Sequence, residues 1–176
     1  MEKIVGVAGR FQPFHWGHYE YIMAATKISK NILIGLTNPD LNSIYTHKTN
    51  PERSKPDSNP FSFDERCEMI GTTLDFLSPH INYKFRRCEF GNPQSLRNSL
   101  GEVDFIAITV YDDWSKHRAE LFRQAGYNIV VLWERDEKIT SGSEIRSRIR
   151  SNLAWKHLVP FGTIDVIESI VYKRSI

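Results

Sequence analysis

No apolar run in the sequence approaches the roughly 20 residues that a membrane-spanning helix requires. Cysteine is scarce, with only Cys67 and Cys88 in 176 residues and no CxxC pairing, which excludes a disulfide-stapled framework and a thiolate zinc knuckle. Neither sign of charge prevails. Lys and Arg number 23 against 21 Asp and Glu, a net +2, so no bulk field argues for nucleic acid or a membrane surface. No aromatic–basic motif of a known RNA module is present, and the N-terminus is not signal-like. Together these absences predict a cytoplasmic protein with reduced thiols and neither a nucleic-acid nor a membrane partner.

What is present is an alternating pattern with no internal repeat, in a chain long enough for one domain, 1–176, with a sizeable core. Short apolar runs, "KIVGVAG", "NILIGL", "INYKFRR", "DFIAITV" and "YNIVVLW", read as strands. Between them lie "WGHYEYIMAATKIS", with Tyr19, Ile22 and Met23 on one stripe, and "FDERCEMIGTTLDFL", with Phe63, Cys67, Ile70 and Leu74 at helical spacing. "WSKHRAELFRQAG" reads as a further helix ending at Gly126, and a C-terminal helical part over 143–176 breaks around Pro160. Strands alternating with crossover helices predict a doubly wound parallel sheet, an α/β Rossmann-like domain.

The segment 37–60, rich in Pro, Asn and Ser, breaks this rhythm as it leaves the carboxyl end of the second strand. It reads either as a solvated surface loop or as a mobile lid whose Lys48, Arg53 and Lys55 approach a polyphosphate. The stretch "GRFQPFHWGH", Gly9 to His18, follows the first strand. His15 and His18 fall three apart at a helix start, where free N–H groups and the positive dipole end favour an anion. A shared anion would favour both protonated imidazoles. Arg10 adds a planar fork suited to phosphate, Pro13 stiffens the turn, and Gly17 allows close approach of a ligand. Capping or packing by the two histidines is the structural alternative. A zinc site would need more ligands, and His47, His80, His117 and His157 form no ligand spacing.

A second helix opens in "TSGSEIRSRI", Thr140 to Ile149. Ser141 with Glu144 fits a capping box, while Ile145, Ile149 and Leu153 form an expected buried stripe. Ser141, Ser143 and Arg146 make a second small phosphate site. Two helix starts at the carboxyl edge of one parallel sheet could hold a triphosphate between them.

These residues carry a resemblance. "GRFQPFHWGH" resembles the HxGH signature of the nucleotidylyltransferase superfamily, and "TSGSEIR" looks like its second signature. "NPFSFDERCEMI" and "AWKHLVP" are similar to archaeal-type nicotinamide-nucleotide adenylyltransferases. The resemblance implies transfer of a nucleoside monophosphate group, AMP from ATP, to a small phosphate monoester such as nicotinamide mononucleotide, with release of pyrophosphate. It implies catalytic roles for His15, His18, Arg10 and Arg146, and Mg2+ carried in by the nucleoside triphosphate. Gly9, Phe11, Gln12, Gly17, Ser141, Ser143, Arg135 and Thr140 would then surround the nucleotide, and Asn59, Phe61, Arg66, Asp112 and Trp114 the acceptor. A homo-oligomer is compatible with this reading.

Three departures concern the acceptor. Ser58 stands where the archaeal-type enzymes carry a basic residue, "CEFGNPQSLRNSLGEVD" has no Trp, and "TVYDDWS" replaces an expected Gly-Asn pair. "HWGH" with Asp112, Asp113, Trp114 and Arg135 is similar to glycerol-phosphate-type cytidylyltransferases, so CTP with a small phosphate or phosphonate acceptor is the alternative. Helix capping explains Asp112 and Asp113 equally well. A nucleotide-binding regulatory module without turnover is the alternative from outside enzymology.

Overall fold

The computed structural model describes residues 2–40, 44 and 51–174. Its strands are β1 (Ile4–Gly9), β2 (Asn31–Thr37), β3 (Asn82–Cys88), β4 (Phe105–Val110) and β5 (Ile129–Glu134). The helices are α1 (Trp16–Ala25), α2 (Phe63–Leu77), α3 (Pro93–Leu100), α4 (Asp113–Gln124), α5 (Gly142–Arg150) and α6 (Phe161–Arg174). The strands form one parallel sheet in the order β3-β2-β1-β4-β5. This is the doubly wound Rossmann-like architecture expected from the alternation.

Burial explains the strand sequences. The β1 run "IVGVAG" and the β2 run "NILIGLT" are covered on both faces and read as nearly continuous apolar segments. The edge strand β3, "NYKFRRC", keeps Lys84, Arg86 and Arg87 on an unpaired margin, which discourages pairing with another chain. One core layer joins α1, α2 and α6 to the sheet through Ile22, Ile34, Ile70, Leu74 and Val166. The other joins α3 and α4 through Leu96, Leu100, Ile106 and Phe122.

Local signals set the helix ends. Ser62 and Glu65 satisfy each other's backbone N–H groups at the start of α2, a complete capping box. At α5 only half of the expected box forms. Ser141 accepts from the Glu144 N–H at 3.2 Å, but the Glu144 carboxylate turns to Arg148 Nε at 3.0 Å. Leu153 is not part of a buried stripe, because the chain leaves α5 before it and leaves it 57% exposed, whereas Ile145 is fully buried. Helix α3 was not expected. Asn92 caps it, Pro93 opens it and Leu96 with Leu100 is buried, but eight residues are too few for a clear period.

Part of the expected lid, with Lys48, lies outside the described residues. Its later part forms two 3₁₀ turns, Pro51–Ser54 and Pro56–Ser58. Among the described residues no helix is long and apolar enough to cross a membrane.

Sheet order positions the site. Neighbours of β1 run to β2 on one side and to β4 on the other, so the connections leave in opposite directions and open a crevice at the carboxyl ends of β1 and β4.

Candidate active site

The loop after β1 is tightly built. Phe11 adopts a left-handed φ of +52 and is 1% exposed, a conformation that packing must hold in place. Its ring meets His18 edge-on at 4.8 Å between centroids, and the Phe14 ring stacks on His18 at 6.0 Å. His15 caps α1, its Nδ1 accepting from the His18 N–H at 3.3 Å, so the capping role is real. The two imidazoles nevertheless stack at 3.6 Å and both line the same cavity. Gly17 fits here because an added Cβ would lie 3.2 Å from the His15 ring.

Burial, reinforced by Lys138, pushes the His15 imidazole down to about 3. Burial also holds His18 well below its ordinary value, with His15, Arg10, Arg53 and Arg118 acting in the same sense. Both rings are therefore neutral at neutral pH. The protonated pair expected from the sequence belongs to a site that holds an anion, whose charge would reverse the balance.

The two motifs touch. Arg146 Nη1 donates to the Gln12 carbonyl, and its Nη2 donates to Ser143 Oγ at 3.3 Å. A Cβ on Gly142 would stand 2.5 Å from that same Gln12 oxygen, so the start of α5 rests directly on the first loop. Arg146 is 7% exposed, and burial followed by repulsion from Arg150 lowers its pKa. It supports the cavity without lining it, while Thr140, Ser141, Gly142 and Ser143 line it directly.

A cavity of about 200 Å³ lies between Ala8 and Gly9 at the end of β1 and Thr109 and Tyr111 around the end of β4, at the crevice described above. Arg10, Arg53, Arg118 and Lys138 line it, against one carboxylate, Asp112. Arg10 donates to the carbonyls of Arg53 at 3.2 Å and Ser58 at 3.1 Å. Burial, then Arg53, Arg146 and Arg66, pushes it down to about 9. Asp112 caps α4 through the Ser115 N–H at 2.8 Å and pairs with Lys138 at 3.4 Å. Trp114 lies beneath the Arg53 guanidinium at 5.3 Å.

Arg118 is the residue that sequence reasoning missed. It sits four residues after Trp114, hence one turn further along the same helix face, which was the available signal.

Several expected site residues make structural contacts. Gln12, 2% exposed, lines the cavity, while its side-chain amide exchanges two hydrogen bonds with the Phe61 backbone at 2.8 and 3.0 Å. The Phe61 side chain is core. Asn59 is 1% exposed and donates to the carbonyls of Arg53 and Lys55 at 2.8 and 2.9 Å. Arg66 is wholly buried, clamping the carbonyls of Ser62, Arg10, Thr37 and Asn38 at 2.7–3.0 Å. Asn59, Phe61 and Arg66 do not line the cavity. Arg135 pairs with Glu20 at 2.9 Å, lies over Trp133 and does not line the cavity.

Among the described residues no group of three or more His, Cys, Asp or Glu side chains could hold a metal ion. One carboxylate and several cations fit a divalent ion that is carried by phosphate oxygens and water.

The profile of the family described as "Cytidylyltransferase-like" matches residues 7–148. A phosphonoformate cytidylyltransferase of Streptomyces viridochromogenes is 33% identical over 171 residues, covering 95% of this chain and 93% of the relative. A nicotinamide-nucleotide adenylyltransferase of Methanococcus aeolicus is 31% identical over 167 residues, covering 93% of this chain and 87% of the relative. Among solved structures, a bifunctional NMN adenylyltransferase/ADP ribose pyrophosphatase of Francisella tularensis, complexed with AMP and manganese, superposes with a TM-score of 0.58 at 21% identity. That likeness, which covers 90% of this chain and 44% of the longer one, concerns the fold.

Proposed function

The chain belongs to the cytidylyltransferase-like family, and from that premise we propose that it transfers a nucleoside monophosphate group from a nucleoside triphosphate to a small acceptor bearing a phosphate or phosphonate. The observation that carries this reading is the meeting of the two helix starts: His15 and His18 from α1, Ser141 and Ser143 from α5, around one cavity at the sheet's switch point.

An acceptor oxygen attacks the α-phosphorus in line. The bond from that phosphorus to the bridging oxygen of the β-phosphate breaks, and its electron pair leaves with pyrophosphate. No covalent enzyme intermediate is needed, so the chain contributes position and charge. His15 and His18 meet the α- and β-phosphates. The free N–H groups and hydroxyls at the start of α5 hold the distal phosphates, with Arg146 fixing that helix against the first loop. Arg10 adds positive charge where the departing pyrophosphate develops its own. Bound magnesium, brought by the triphosphate, would neutralise its oxygens and polarise the leaving group. The same reading takes the chain as a single working domain.

The archaeal relatives' names support adenylyl transfer from ATP to a nicotinamide-mononucleotide-like acceptor. Cytidylyl transfer from CTP to a small phosphate or phosphonate is the second reading, favoured by the Streptomyces relative and by the cationic wall of Arg53 and Arg118. A pyrophosphate-release screen of ATP, CTP, GTP and UTP against nicotinamide mononucleotide, glycerol phosphate and phosphonates decides between them. His18→Ala is expected to lower turnover about 100- to 1,000-fold with the working pair. Full activity in that variant would overturn the assignment.

A further inference from the structure

Arg118 occupies an unusual place. It projects from α4 across the crevice and donates to the Ala8 carbonyl at 3.3 Å and the Thr109 carbonyl at 3.4 Å, spanning the ends of β1 and β4. Both bonds are long, so they hold the guanidinium in place without using its full donor capacity. Its buried Nε has no partner among the described residues. Arg53 stands on the same wall, stacked on Trp114 and within the field of Asp112, but among the described residues neither arginine closes an ion pair with a carboxylate. The wall's one acid, Asp112, is shared between the α4 cap and Lys138.

In-line displacement separates the two anions. If α1 and α5 hold the triphosphate and its leaving pyrophosphate, the acceptor enters from the remaining side, which α4 and the 51–58 turns supply. A pair of guanidinium groups there attracts negative charge and is a poor neighbour for a cationic ring.

We propose that Arg118, aided by Arg53, is a specificity-determining residue that reads a second anionic group on the acceptor, a phosphate or phosphonate that also bears a carboxylate. Its fork suits a carboxylate, and the strand-end carbonyls fix its position. This inference rests on the transferase reading for the direction of approach, but its binding test does not depend on turnover.

The test compares phosphoglycolate with ethyl phosphate, two probes of similar size of which only the first carries a carboxylate, by calorimetry on the full chain without nucleotide. The wild type is expected to bind phosphoglycolate about tenfold more tightly. In Arg118→Gln that ratio should fall to near one, and in Arg118→Lys, which keeps the charge, it should stay well above one. A wild type that does not distinguish the probes, or an Arg118→Gln variant that keeps the full ratio, overturns the proposal. If the ratio behaves as stated yet no triphosphate releases pyrophosphate with any acceptor, the subsite stands and the transferase reading falls. If pyrophosphate is released but the ratio is absent, the reverse holds.

Discussion

At the residue scale the site is a set of cations held close together, Arg10, Arg118 and Arg146 by backbone carbonyls and Arg53 by the Trp114 ring. Arg10, Arg53 and Arg118 line one cavity with Arg146 behind it; burial and those three arginines keep His18 neutral, and burial with Lys138 keeps His15 neutral. The native state therefore binds fewer protons at His15 and His18 than the unfolded chain, whose imidazoles titrate near 6.5. Stability is then fully present above that value and is lost as pH falls below it, down toward the His15 value of about 3. Between pH 7.5 and 5.5 the loss should be about 1.4 kcal/mol per histidine in urea unfolding. A variant with both imidazoles replaced by asparagine should lose that pH dependence. A flat wild-type profile would contradict the neutral pair.

Arg66 is a second case, of opposite purpose. The resemblance of "NPFSFDER" to a family pattern suggests an acceptor contact, but beyond its own helix start its carbonyl partners come from two other stretches of chain, Arg10 and Thr37–Asn38, that no local spacing reveals. Arg66→Met should cost of order 3 kcal/mol in unfolding free energy, since the carbonyls of Arg10, Thr37 and Asn38 lose buried donors. An unchanged urea midpoint would refute this. Residue types and order made His15, His18, Ser141 and Ser143 legible. Arg118 was not, because its partners Ala8 and Thr109 meet it only after the sheet has formed.

At the scale of elements, the strongest coupling is that of α5 to the loop after β1. Gly142 allows it, and any side chain there would press on the Gln12 carbonyl. Gly142→Ala should displace the start of α5, weaken the Arg146–Gln12 contact and destabilise the fold by about 1–3 kcal/mol. The Michaelis constant for the triphosphate should rise with it. If melting temperature and Michaelis constant both match the wild type, the two helix starts are not mechanically joined. Long elements with a clear period, such as α2 and the buried strands, were readable from hydrophobic spacing. The short α3 was not, for want of turns.

For the whole molecule, a nearly balanced net charge of +2 hides a strongly polarised interior crevice. Folding must bring those cations together without a matching set of acids, so an anion that fills the crevice should stabilise the native state. Inorganic pyrophosphate at about 100 times its dissociation constant should add about 2.7 kcal/mol, visible as a raised melting temperature. High salt should diminish the gain by screening. No shift with pyrophosphate would mean that the crevice is not an anion site.

One small contact has a wider reach. Asn38 Nδ2 meets Asn59 Oδ1 at 2.9 Å, so the chain that departs from β2 returns to within a hydrogen bond of its own root. Arg66 pins the departing side by donating to the carbonyls of Thr37 and Asn38, and Gln12 pins the returning side at Phe61. Between those roots, the turns over 51–58 hold Arg10 through the carbonyls of Arg53 and Ser58, so a change of length in the insert is least disruptive ahead of Pro51. Because closure is already settled at the base, lengthening the insert costs little, about 0.6 kcal/mol for each doubling. A lineage could trade one such insert for another and so change which small molecule is taken, while the bond-making machinery behind it stays as it was.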